Sequence, residues 1–275
     1  MTIFSKTRAR LDALSGEGRT VSLWWRDDDA RWSTRALGRL LATAGEARLP
    51  LALAVIPEKA EASLAEAIAD RPEVAVLLHG WRHANHAPAG EKRAEFGDHR
   101  PAAEMAGEIA EGRDRLQGLF GERLLPVFVP PWNRIGTAAL AELVRPGLSV
   151  LSVYGPARCG GPAELNAHLD IMDWRAMRGL GLDELDRLAA DALELWSSDT
   201  GRSHEPLGLL THHLQHDAGA WYALEHLLEV LAGHPCVRWP QVESLVAAAL
   251  AGERRPGGEA EARAGGPLVR KVASQ

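Results

Sequence analysis

Cysteine is nearly missing from this chain. Of 275 residues only Cys159 and Cys236 are cysteines, with no C-x-x-C spacing, which excludes a disulfide framework and a thiolate metal site and leaves both as small buried apolar side chains. Long apolar runs are missing too. No stretch approaches the ~18 residues of a membrane span, and the opening MTIFSKTRARLDALSGEGR holds no apolar core of signal-peptide length, so a cytoplasmic protein without a membrane partner is expected. A surplus of positive charge is also lacking. With 31 Lys and Arg against 37 Asp and Glu, the formal net charge is -6; this leaves no cationic footprint for a phosphate backbone and argues against a nucleic-acid partner. The Gly-x-Gly-x-x-Gly fingerprint does not follow the first apolar run, which counts against a dinucleotide-binding fold.

What is present is an alternation. Apolar β-type runs recur at Val21–Trp25, Leu51–Ile56, Val74–Leu78, Pro126–Val129, Leu148–Val153 and Leu207–Leu210, most of them separated by segments of helical spacing. One such segment carries Leu182, Leu185, Leu188, Ala192, Leu193 and Trp196 on a single helical face. Strands followed by helices predict parallel pairing through right-handed crossovers, in a barrel or a doubly wound sheet. Residues 1–251 are expected to form one such α/β domain. The Gly-, Pro- and charge-rich stretch 252–275 reads as a disordered tail.

Polar, metal-capable residues gather where the apolar runs end. VSLWW is followed by Arg26, Asp27, Asp28 and Asp29; VAVLL by His79, Gly80, Trp81, Arg82 and His83; LGLL by Thr211, His212, His213 and, further on, His216. In a parallel β/α fold the carboxyl ends of the strands share one face, where catalytic sites are built. Three adjacent aspartates repel one another, and a cation relieves that repulsion. His79 and His83 stand four apart, a spacing that on a helical turn lets two imidazoles meet one ion.

Taken in order, Asp28-Asp29, His79-x-x-x-His83, Pro130-Pro131-Trp132, Asp170-Ile171-Met172-Asp173-Trp174 and Leu210-Thr211-His212 resemble the five motifs of the polysaccharide deacetylase superfamily, the NodB-homology domain. HGWRH followed by Glu95-Phe96 looks like a divergent branch of it. The resemblance implies a distorted (β/α)7-type barrel and a divalent metal, usually zinc, held by Asp29, His79 and His83. It further implies Asp28 as general base and His212 as general acid. The triple aspartate leaves two registers, Asp27/Asp28 and Asp28/Asp29; the spacing Arg-x-Asp-Asp favours the second. Arg26, Asp27, Trp81, Pro131, Trp132, Asp173, Trp174 and His213 are expected around the substrate or behind the first ring of ligands. His86 and His216 are extra histidines, read as surface or supporting groups.

One departure bears on activity. The family's third motif places an arginine two residues before its proline, where it orients the base, and this chain has Val129 there if Pro131 is the motif proline. Arg26 and Arg134 are the candidate replacements, Arg26 slightly favoured. The function implied is metal-dependent hydrolysis of a C–N amide bond, removing an acyl group, chiefly acetyl, from a small sugar-containing or oligosaccharide substrate. An amidase on a non-sugar amide and a catalytically silent metal- or glycan-binding member are the alternatives.

Overall fold

The computed structural model describes residues 3–158, 161–198 and 205–253. Its strands are β1 (Val21–Ala30), β2 (Leu51–Val55), β3 (Val74–His79), β4 (Leu124–Val129), β5 (Val150–Leu151), β6 (Ala163–Glu164), β7 (Leu169–Asp170), β8 (Met172–Asp173), β9 (Arg178–Gly179), β10 (Leu207–Thr211) and β11 (Val237–Arg238). The helices are α1 (Ser5–Gly16), α2 (Arg35–Ala47), α3 (Ala62–Ile68), α4 (Ala102–Phe120), α5 (Thr137–Glu142), α6 (Leu182–Ser198), α7 (Ala218–Gly233) and α8 (Val242–Glu253). Every pairing in the main sheet is parallel, in the order β6-β5-β4-β3-β2-β1-β10-β7, with β11 added beside β1.

The two ends of that order are one piece of chain. Between β6 and β7 the backbone stays extended: Leu165 and Ala167 donate to the carbonyls of Leu151 and Val153 at 2.9 Å each, and His168 then donates to Gly208 at 2.7 Å. The stretch 163–170 thus pairs with β5 at its start and with β10 at its end, and the sheet closes. Counting β6 and β7 as one stave, the sheet order gives seven staves, a distorted (β/α)7-type barrel.

Alternation along the strands sorts side chains between two cores. Trp24, Ala52, Ala54, Ala75, Leu77, Val127, Val129 and Leu165 fill the inside, and Val242, Leu245 and Val246 of α8 pack onto this cluster. Trp25, Leu53, Val55, Val76, Leu78 and Leu209 belong to the outer cluster beneath the helices, where α6 contributes Leu185, Ala189, Leu193 and Trp196. Small residues on β2 and β3 admit the one large interior aromatic, Trp24, whose indole donates to the Asn166 carbonyl at 2.9 Å. Gly208 is the opposite wall: a Cβ there would meet the Asn166 carbonyl oxygen at 2.4 Å and Trp24 Nε1 at 2.6 Å.

Four expectations are corrected. The stave at 163–170 contains no apolar run, yet it closes the barrel. The short β8–β9 hairpin is antiparallel, an exception to the parallel rule. β1 continues through the aspartates instead of stopping at Trp25. Helix α8 extends through Glu253, two residues into the stretch assigned to a tail; 254–275 and Cys159 lie outside the described residues, while Cys236 is buried. Among the described residues no helix is long and apolar enough to cross a membrane.

Gly208→Ala is expected to lower stability by about 1–3 kcal/mol through overpacking against backbone that cannot retreat. Denaturant unfolding measures this, and an unchanged midpoint would contradict the packing described for the barrel interior.

Candidate metal and hydrolytic site

Three neighbouring aspartates on one strand point in three directions. Arg26 and Asp28 follow Trp24 on the interior face, whereas Asp27 faces outward. There its carboxylate accepts from Thr211 Oγ1 at 2.6 Å and His213 N at 3.0 Å, and its other oxygen lies 2.5 Å from His213 Nδ1. Burial alone would raise its pKa, but the charge and hydrogen bond of His213, with Thr211, hold Asp27 below the ordinary aspartate value. Burial would in turn lower His213, and Asp27 overrides it and holds His213 above the ordinary value. Asp27 and His213 are therefore a buried pair behind the sheet and do not line the cavity.

Plain alternation would also send Asp29 outward. The β1–β2 register slips between Asp27 and Ala30, a bulge, and Asp29 takes a left-handed φ of 73° that turns it back to the barrel mouth. Such a conformation costs an L-residue about 1–2 kcal/mol.

Asp29 meets His79 and His83 there. Its Oδ1 lies 3.3 Å from His79 Nε2 and 3.4 Å from His83 Nε2, and one ligand atom from each of the three falls within 4.8 Å of the others. His79, at the end of β3, has its Nδ1 2.9 Å from the Val129 carbonyl; an Nδ1–H donated to that oxygen leaves Nε2 as the free electron pair. His83 arrives differently from the expected helical turn. Residues 80–85 form a loop with φ 58° at Gly80 and 60° at His83, wrapped around the fully buried carboxylate of Glu95. Glu95 accepts from the backbone N–H groups of Trp81 (3.1 Å), Arg82 (2.9 Å) and Ala84 (3.2 Å). Gly80 has no room for a side chain, since a Cβ would lie 2.3 Å from Glu95 Oε2.

The donor set fits a divalent cation. Two atoms bound tetrahedrally to one zinc at ~2.0–2.1 Å stand about 3.3 Å apart, the separation seen from Asp29 to each imidazole. Asp29 Oδ1 is buried and accepts no hydrogen bond, as an oxygen reserved for an ion would be. Among themselves the three groups already separate charge. Burial opposes it, yet His79 holds Asp29 below the ordinary range; burial likewise opposes protonation of His79, which the Asp29 carboxylate 3.3 Å away raises. Burial and the charge of His79 push His83 down to about 4.

Asp28 stands beside this set. Arg26 Nε lies 2.9 Å from its Oδ1 and Arg26 Nη2 donates to its Oδ2 at 3.1 Å. Arg26 is itself fully buried and held by Ser152 Oγ at 2.7 Å and Asn133 Oδ1 at 3.0 Å. The guanidinium beside Asp28 thus comes from β1, two residues upstream of it. Arg134 sits on the cavity rim and donates to the Arg93 carbonyl at 3.0 Å. On the far side, His212 Nε2 lies 3.9 Å from Asp28 Oδ2, and its ring packs edge-on to Trp174 at 4.6 Å.

Asp28, Asp29, His79, His83, His212, Trp132 and Trp174 share one cavity of about 840 Å³. Trp132 covers His83 at 4.3 Å between ring centroids. Other expected residues lie elsewhere. Trp81 belongs to the outer core, Pro131 packs against Gly80, and Asp173 accepts from the N–H groups of its own turn, Arg175 and Ala176. The aspartate of that motif at the cavity is Asp170, which accepts from Trp174 Nε1 at 2.7 Å and Met172 N at 3.0 Å. Burial raises its pKa above the ordinary value against the opposing pull of His212. Asn133, Ser152 and Glu95 were also unassigned; of these only Glu95 carried a signal, its place just after the histidine pair. His216 accepts from the His212 backbone N–H at 3.3 Å and packs on Trp221, while His86 is exposed.

No family model and no curated protein matches this sequence. Solved structures do match. A protein of Mycobacterium smegmatis described as a polysaccharide deacetylase superposes with a TM-score of 0.61 at 16% identity, over 90% of this chain and 96% of that one. The fold is that of the polysaccharide deacetylases. A family 4 acetyl xylan esterase from Clostridium thermocellum, in complex with cobalt, gives 0.55 at 12% identity over 82% and 91% of the two chains. A mutant CE4 family pseudoenzyme with restored enzymatic activity gives 0.56 at 13% identity over 83% and 68%. Since this deacetylase fold carries both active and inactive proteins, the side chains must decide the function.

His79→Ala is expected to lose bound zinc, read by elemental analysis; unchanged content would remove His79 from the ligand set. Glu95→Ala, which unpins the loop of His83, is expected to weaken zinc affinity by about 10–100-fold, with Glu95→Gln intermediate. A folded Glu95→Ala protein of unaltered affinity would contradict the loop's dependence on that carboxylate.

Proposed function

We propose that this chain is a metal-dependent hydrolase of C–N amide bonds that removes acetyl groups from an N-acylated sugar or small oligosaccharide, with zinc held by Asp29, His79 and His83. The observation that carries the reading is the placement of Asp28 between that donor set and His212, with a buried arginine fixing it. A bound zinc ion would supply Lewis acidity for the amide carbonyl and lower the pKa of water.

The remaining chemistry belongs to the chain. Asp28 takes the proton of the attacking water. Arg26 grips both oxygens of the carboxylate, Nε at 2.9 Å from Oδ1 and Nη2 at 3.1 Å from Oδ2, which keeps it from rotating away, and a carboxylate oxygen held by one donor keeps a second lone pair for the proton. His212, across the cavity, hands a proton to the departing amine. Trp132 and Trp174 flank the two halves of the site, offering flat apolar faces to a sugar ring and limiting access of bulk water. The absence of the motif arginine at Val129 is the one feature favouring a silent member. Arg26 counters it, because a cation at 2.9 Å orients the base whichever strand delivers it.

The test is acetate release from a panel of N-acetylated mono- and oligosaccharides, with simple N-acetyl amides alongside, by protein stripped of metal and then reloaded with zinc. Reloaded protein is expected to release acetate from a sugar and stripped protein is not. His212→Ala is expected to reduce turnover by about 10²–10⁴-fold with folding and zinc content intact, and Arg26→Ala to reduce it with zinc retained. Release from the simple amides alone would replace the sugar reading by the amidase one. No release from any of them by zinc-loaded protein would favour the silent member.

A further inference from the structure

The general acid of the proposed reaction is held less directly than the other groups of the site. Arg26 grips Asp28, and the Val129 carbonyl orients the ring of His79. The imidazole of His212 has no such hold among the described residues. Its Nδ1 is buried and makes no hydrogen bond, its Nε2 stands 3.9 Å from Asp28 Oδ2, beyond hydrogen-bond reach, and its ring rests edge-on against Trp174. Where that ring sits is therefore set largely by the backbone that carries it. Thr211 and His213, on either side, are both tied to Asp27. The amide of His212 itself donates to His216 Nε2 at 3.3 Å. A short 3-10 turn, His213–Gln215, folds the chain back to make this contact, and Gln215 N closes it by donating to the His212 carbonyl at 2.8 Å. The ring of His216 is braced edge-on against Trp221 of α7, with 4.6 Å between centroids. An imidazole accepts at Nε2 only when it is neutral with its proton on Nδ1. Burial pushes His216 down to about 4, so the acceptor is present at neutral pH. The hydrolytic steps leave this histidine unused.

We propose that His216 is a positioning residue for the general acid, holding the His212 amide so that the imidazole stays aimed at the departing nitrogen. The catalytic consequence rests on the deacetylase reading; the contact does not. His216→Phe keeps an aromatic ring against Trp221 and removes the acceptor, His216→Ala removes both, and His216→Gln offers an acceptor oxygen in place of Nε2. With the best substrate of the sugar panel and zinc-loaded protein, the Phe and Ala variants are expected to lose about 10–100-fold in kcat, with KM, zinc content and thermal midpoint little changed. His216→Gln is expected to recover most of that loss. Hydrolysis of p-nitrophenyl acetate, whose phenolate leaves without a proton, is expected to be unaffected. In a His212→Ala background His216→Phe is expected to cost nothing further, because both residues act through one group. Unchanged turnover, an equal loss on both substrates, or a further loss beyond that of His212→Ala would overturn the proposal. The ring signals of His212, read by NMR on the same proteins, separate it from the deacetylase reading. Signals that move in His216→Phe and return in His216→Gln, with no acetate released from any sugar by the unaltered protein, would uphold the positioning and overturn the deacetylase reading. Acetate release with ring signals that His216→Phe leaves unmoved would do the reverse, and unmoved signals without release would overturn both.

Discussion

Three carboxylates in succession on a buried strand repel one another and lose their hydration, so each needs its own counter-charge for the strand to exist. Much of the site follows from how that requirement is met. Asp27 is turned out to His213 and Thr211, Asp28 is turned in to Arg26, and the bulge delivers Asp29 to His79 and His83. Each partner comes from a different element, so neutralising the aspartates also ties β1 to β3, to β10 and to the segments carrying Ser152 and Asn133. A site of separated roles results from an electrostatic problem with three separate solutions.

The strain is concentrated in the same place. Asp29, His83, Trp132 and Asn133 all adopt positive φ. Asp, Asn and His tolerate that region better than most residues, and each of the four lies on the cavity wall. Barrel staves hold side chains to a strict alternation, and the positions that must leave it are those that bring cavity residues together. Glu95, receiving three backbone N–H groups, is the means by which the loop of His83 keeps such a shape.

Much of this was legible in the residues. Apolar runs located four of the seven staves closely, β1 by its first half and β5 more loosely, and of the residues that follow β3 and β10, His83 and His212 reach one mouth. Arg26, slightly favoured over Arg134 as the replacement arginine, reaches Asp28. Other features were hidden for physical reasons. Ala163-Glu-Leu-Asn-Ala-His-Leu-Asp170 alternates strictly between apolar and polar residues, a strand signal of period two that a search for continuous apolar runs passes over. The direction of Asp29 depends on a bulge, and one bulged residue exchanges the two faces of everything after it. Asp173 and Asp170 are equivalent on paper; only the turn that consumes the first and the stave that presents the second tell them apart.

The central claim is that the three aspartates have three different jobs, and Asp27→Asn, Asp28→Asn and Asp29→Asn measured side by side for zinc content, thermal stability and acetate release test it most directly. The account predicts that Asp29→Asn loses zinc, that Asp28→Asn keeps zinc but loses turnover, and that Asp27→Asn keeps zinc and chiefly loses stability. Retained turnover in Asp28→Asn, or loss of zinc in Asp27→Asn with Asp29→Asn still loaded, would contradict it.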